Sequence, residues 1–261
     1  MARSPLAQLA CGRPSGSGAL SETLNNIGSN IDKYYSVASD FINGRRKSLI
    51  SEFGPYLGRI MIELSSTAIL ARIDPFRVLV VRKIQEQPDF DLNLSIPSRI
   101  EWAGDIIGNN SPKGGGQASD SSKIWSVTAK KDGFSRALLS ETFSEIYWRP
   151  AVENFIDSST EIDKFTLISE IHRIDPEKFV TSIRGRAMQL YPSLSKGVHG
   201  EVLLPIETLY DTSTVQESLR ESIQLVAKLG LVSHWIEVSQ YKIPQSRVLR
   251  NLENMKGLIN D

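Results

Sequence analysis

The sequence has a single cysteine, Cys11, in 261 residues. That excludes a disulfide framework and any zinc finger or ribbon built from several thiolates. There are three histidines, His172, His199 and His234. No two stand at the His-x-x-x-His spacing that sets a pair of imidazoles on one helix face for a metal. No apolar run approaches the roughly 18 residues that a membrane-spanning helix needs. Accordingly no metal, no cofactor and no membrane is expected, and a cytoplasmic location is the default. Net charge is missing too, since 30 Lys and Arg balance 30 Asp and Glu. Residues 1–130 carry 15 basic and 12 acidic side chains, and residues 131–261 carry 15 and 18. Neither half has the strongly basic balance of a dedicated nucleic-acid binder. A nucleophile elbow, a kinase signature and a dinucleotide fingerprint are all absent. Lys113-Gly114-Gly115-Gly116 places its lysine before the glycines, and no helix start follows it, so it does not read as a phosphate-cradling loop.

What is present is ordinary globular material, 40% hydrophobic and 23% charged, with helical periodicity through most of the chain. Leu24, Ile27, Ile31, Ala38 and Phe41 recur every three or four residues between Ser21 and Asn43, and Gly44 suits a helix stop. A second helix is predicted from about Ser48 to Ala71. Asp74-Pro75 reads as a cap and first turn, opening a helix whose Val78–Val81 run looks buried all round. The same tetrad, Arg-Ile-Asp-Pro, returns at Arg173–Pro176 before a helix running toward Leu190, and shared cap chemistry accounts for the match. A further helix spans Phe134–Ile156 and is interrupted at Pro150. Ser213/Gln216 and Thr214/Glu217 form overlapping capping boxes for a helix ending near Trp235. Pro244–Ile259 is the last. Nothing alternates convincingly with period two. The fold class is therefore all-α, an antiparallel multi-helix bundle. Residues 1–20 are expected to be a disordered leader, with Cys11 incidental within it. Residues 21–261 are expected to form one helical domain, with 108–122 as a flexible Gly/Ser-rich insertion.

The candidate chemistry lies at Met188–Pro205. Tyr191, Ser195 and His199 are spaced i, i+4, i+8 and share one face if the helix persists past Pro192 and Gly197. An imidazole titrates near neutrality and is a natural general acid or base. Ser195 and Lys196 could bind phosphate, with Arg184, Arg186 and the Arg45-Arg46-Lys47 cluster as further phosphate contacts. His172 and His234 read as local helix-end histidines. The tryptophans Trp102, Trp125, Trp148 and Trp235 read as packing anchors.

The stretch Leu194–Glu201, "LSKGVHGE", resembles a segment near the end of helical proteins of abortive-infection and related prokaryotic conflict systems, some of them HEPN-like. HEPN ribonucleases are four- or five-helix bundles with the motif Arg-x(4–6)-His. There the Arg steadies a phosphate and the His transfers protons in metal-independent RNA cleavage. The resemblance implies a catalytic role for His199. The sequence departs from the motif, because Arg184 and Arg186 lie 15 and 13 residues before His199 and Lys196 lies three before it. Two functions stay open. One is a helical interaction or regulatory module binding a protein partner, or a second copy of itself, as an accessory part of a bacterial defence or mobile-element system. The other is a HEPN-like ribonuclease toxin acting on RNA through His199, Lys196, Ser195 and Tyr191.

Overall fold

A computed structural model describes residues 3–88, 90–91, 99–108, 136–158, 165–198 and 205–259. Nine helices of at least seven residues are present among them: α1 (Pro5–Cys11), α2 (Ala19–Ile42), α3 (Ile50–Ile73), α4 (Pro75–Gln85), α5 (Arg149–Ser158), α6 (Thr166–Arg173), α7 (Phe179–Lys196), α8 (Thr212–Ser233) and α9 (Gln245–Glu253). No strand occurs among the described residues, and the all-α expectation holds. Almost all of the Gly/Ser-rich stretch 108–122, with Trp125, lies outside the described residues.

The 24-residue α3 is the axis of the bundle. It packs on α1, α2, α4, α7 and most extensively on α8. Two glycines let the neighbours in. A Cβ on Gly54 would overlap Val215 of α8, and one on Gly58 would press on Leu194 of α7 and Ser222 of α8. Pairing Gly54 with Val215 joins the starts of α3 and α8, while Arg72 and Ser233 join their ends. The two central helices thus run parallel, whereas α2 and α7 run antiparallel to α3. The long chain separating α3 from α8 frees this pair from the antiparallel rule that short loops impose.

The N-terminal segment is not a disordered leader. Pro5–Cys11 is a helix, capped where the Ser4 hydroxyl accepts from the Ala7 N–H (3.2 Å). Leu6, Ala7, Leu9, Ala10 and Cys11 are all buried. Alternating small and large apolar residues give α1 a surface that meets α2, α3, α8 and α9. Its burial stabilises by roughly 25 cal/mol per Å² of apolar surface, enough to order a segment that is too short to be a helix alone. Cys11 is therefore a core residue. Burial pushes its thiol up to about 12 against the lowering pull of Arg3 and Arg72.

Arg72, in the last turn of α3, is fully buried and has no carboxylate partner among the described residues. Its guanidinium donates to the carbonyls of Gln240 (2.8 Å), Leu9 and Ala10 (3.3 Å each), to the Ser233 hydroxyl (2.9 Å) and to Nδ1 of His234 (3.0 Å). Nδ1 also accepts from the Ile243 N–H (3.3 Å). With two donors aimed at Nδ1, the ring proton sits on Nε2 and is given to the Leu9 carbonyl (3.1 Å). The carbonyls of Leu9 and Ala10 are the unpaired C-terminal acceptors of α1. A cation at that end also suits the helix dipole. One side chain thereby closes the ends of α1, α3 and α8 together. Gly12 completes the clasp at φ +68°, where a Cβ would overlap the Tyr241 carbonyl oxygen, and the Arg13 N–H donates to that same oxygen (2.9 Å).

Several local expectations change. Asp74 makes no cap bond. Its carboxylate instead accepts from Arg136 (2.6 Å). Asp175 does cap, accepting from the Glu177 N–H (3.1 Å), so the repeated tetrad serves two purposes. The run Val78–Val81 is not buried all round, because only Val78 is buried and α4 turns Phe76 (68% exposed) and Val80 to solvent. Pro150 does not interrupt the chain's helix. A π-turn at Ser144–Trp148 runs directly into α5, where Pro150 is the second residue. At the start of α8, Asp211 rather than Ser213 or Thr214 is the cap, accepting from both their N–H groups (2.9 and 3.1 Å). The side chain of Gln216 donates across to the Phe41 and Ile42 carbonyls at the end of α2 (2.9 and 3.3 Å).

Candidate functional site

The helix α7 passes through Pro192 and ends at Lys196, with Gly197 beyond it. Tyr191 and Ser195 therefore share a face. The helical register that would extend this face stops before His199, which lies outside the described residues.

Tyr191 is held from three sides. Its hydroxyl donates to Glu63 of α3 (2.5 Å), and Glu63 accepts from Arg59 one turn earlier (3.0 Å). The ring stacks on Trp102, with centroids 4.3 Å apart and planes 8° from parallel, and the Arg59 guanidinium lies 5.0 Å from its centroid. Trp102 is brought there by an irregular turn, Trp102–Ile106, in which the Glu101 N–H donates to Asp105 (2.8 Å) and Asp105 pairs with Arg77 of α4. Burial, then the hydrogen bond to Glu63 and its charge, pushes the Tyr191 phenol up to about 12. At neutral pH it is a donor committed to a carboxylate, and it is a poor proton acceptor.

Ser195 spends its hydroxyl on the Tyr191 carbonyl (2.9 Å), the back-bonding that helical serines use. No base stands beside it among the described residues. Lys196 is exposed at the C-terminal end of α7, where a cation suits the helix dipole.

The arginines do not converge. Arg186 pairs with Glu221 and donates to Gln189 (3.1 Å). Arg184 reaches toward the Leu139 carbonyl (3.5 Å) and lines a cleft of about 240 Å³ with Glu141, Glu145, Glu177 and Arg149. It lies roughly 18 Å along the helix axis from Lys196 at 1.5 Å per residue. Arg45 and Arg46 flank one carboxylate, Asp40, at 3.3 and 3.6 Å. They stand with Lys47 at the junction of α2 and α3. A Cβ on Gly197 would press on Pro55 of α3, so this cluster and Lys196 occupy the same end of the bundle.

Residues the sequence did not point to are Glu63, Arg59 and Trp102. Arg59 and Glu63 stand at the i, i+4 spacing of an ion pair, which is a readable signal. Trp102 reaches Tyr191 through a non-helical backbone at Ala103 and Gly104, which leaves no periodic trace. His234 is more than a local helix-end residue, because it joins the Arg72 clasp. His172 keeps a buried Nε2 without a hydrogen-bond partner and does not bond locally through that atom.

Among the described residues no group of three or more His, Cys, Asp or Glu side chains is placed to hold a metal, and no helix is long and apolar enough to cross a membrane. Comparison with family models, with curated proteins and with solved structures finds no match. The functional reading therefore rests on the geometry of this chain.

Proposed function

We propose that this chain is a helical interaction module whose partner docks at the start of α3. One observation carries the reading. Leu49, Phe53 and Tyr56, at i, i+4 and i+7, leave 41%, 51% and 39% of their surface exposed in one stripe. Large apolar side chains spaced on a single helix face are costly to leave in water and mark contact surfaces. Arg45, Arg46 and Lys47 precede the stripe in sequence, with Asp40 between the two arginines, and Glu52 is the exposed acid beside Phe53. This charge pattern suits a partner protein with an apolar segment flanked by acidic residues. An accessory role in a defence or mobile-element system is the setting that the LSKGVHGE resemblance supports.

The test is affinity capture from source cells with three baits: the native chain, Phe53→Asp and Arg45→Glu. The reading expects an acidic-flanked partner retained by the native chain and lost by both variants, with circular dichroism and unfolding midpoints unchanged. Capture indifferent to both substitutions would sink it. Metal-independent RNA degradation that is lost in His199→Ala would replace it with the ribonuclease reading.

A further inference from the structure

A cleft of about 640 Å³ opens between α1, α2, α9 and the segment before α9. It is lined by Arg3, Arg13 and Arg247, and among the described residues no carboxylate lines it. Several arginines elsewhere are matched by acids: Arg59 by Glu63, Arg82 by Glu22 and Glu86, Arg136 by Asp74, Arg149 by Glu153 and Glu177. In the cleft, among the described residues, only Arg3 has an acid within ion-pair distance, Asp32. Arg247 is oriented by a neutral amide, donating to Gln8 Oε1 (2.8 Å). Arg3 donates to the backbone and side-chain oxygens of Asn25 (2.9 and 2.8 Å), with Asp32 3.7 Å away from its other terminal nitrogen. Arg13 is exposed and makes no side-chain hydrogen bond or ion pair among the described residues.

Arg3 has Asp32 as its anion, but Arg13 and Arg247 face the same concavity with no carboxylate paired to them among the described residues. A cleft lined by one sign of charge focuses its field on a ligand of the opposite sign. Guanidinium forks match phosphate oxygens, and Arg247, held by a neutral amide, keeps its full charge for that contact. The volume falls in the range of small-molecule sites, roughly 300–1,000 Å³, and Pro14 and Pro244 supply apolar walls. We propose that this cleft binds a small phosphorylated ligand bearing at least two negative charges, of about nucleotide size. The site is independent of the docking stripe on α3. Its link to the fold is direct: Gly12, which closes the Arg72 clasp, also lines the cleft, so occupancy would hold α1 against α9.

The full chain would be titrated calorimetrically with inorganic pyrophosphate, with ATP and with a short single-stranded RNA, at near-physiological salt. The expected result is saturable one-site binding of pyrophosphate and ATP. Affinity should fall at least about tenfold, about 1.4 kcal/mol, in Arg13→Gln, a substitution that removes no contact within the protein. Arg45→Gln, remote from the cleft, should leave it unchanged. Absence of saturable binding by either small probe, equal binding by Arg13→Gln, or an equal loss in Arg45→Gln would overturn the proposal. RNA binding without pyrophosphate or ATP binding would overturn it in favour of a polyanion surface.

Discussion

The Arg72 clasp and the Tyr191 face use the same kinds of side chain to opposite ends. Around Arg72 a cation, an imidazole and a serine are withdrawn from water, and their bonds tie the ends of α1, α3 and α8 to one another and to the segment before α9. Around Tyr191 a phenol, a carboxylate and an arginine meet at half-buried positions along the sides of α3 and α7. Losing a bond in the first region strands groups that water cannot reach, whereas in the second water replaces much of what is lost. His234, which reads as bland in the sequence, thus holds one of the driest contacts in the bundle. What matters is how many partners each polar group has, and how dry they are.

Substitution at the clasp should have the largest effect. Arg72→Met leaves the carbonyls of Leu9, Ala10 and Gln240 without their donor, and denaturant unfolding should record a loss of about 3–5 kcal/mol. Gly12→Ala forces a left-handed conformation on alanine and overlaps the Tyr241 oxygen. A loss of about 2–3 kcal/mol in the same assay is expected.

The pH dependence sharpens the contrast. Burial, and then the charge of Arg72, holds the His234 imidazole well below its ordinary value of 6.5. The unfolded chain therefore binds a proton that the folded chain refuses. Stability from this group is fully present above about 6.5 and falls as the pH drops toward the folded value, at up to about 1.4 kcal/mol per pH unit. His234→Asn, which offers an acceptor without titrating, should flatten that slope in unfolding curves taken between pH 7 and 5. On the Tyr191 face the effects should be smaller. Tyr191→Phe should cost about 1 kcal/mol, and Ser195→Ala should stay within about 0.5 kcal/mol by the same denaturation measurement.

Helices were legible wherever apolar residues recur on one face, as in α2, α3 and α8, because periodicity is a local property. The clasp was not legible, since Arg72, Gly12 and His234 are distant in sequence and meet only when the bundle closes. α1 was misread for a related reason. "PLAQLAC" is too short to show a stripe, and the small residues that suggested a flexible leader are what allow close packing. In the candidate site, the shared face of Tyr191 and Ser195 was readable from their spacing. Their commitments to Glu63 and to the helix's own carbonyl were not, because those partners depend on how α3 and α7 cross.

The reactivity of Cys11 with a thiol reagent in native buffer tests the central claim, that the N-terminal helix is locked into the core by the Arg72 clasp. Only a thiolate reacts, and this thiol is buried with its pKa pushed up to about 12. The account predicts that Cys11 resists modification in the native protein and reacts stoichiometrically once denaturant unfolds the chain. Rapid, complete modification without denaturant, at the rate of a thiol on a free tail, would contradict it.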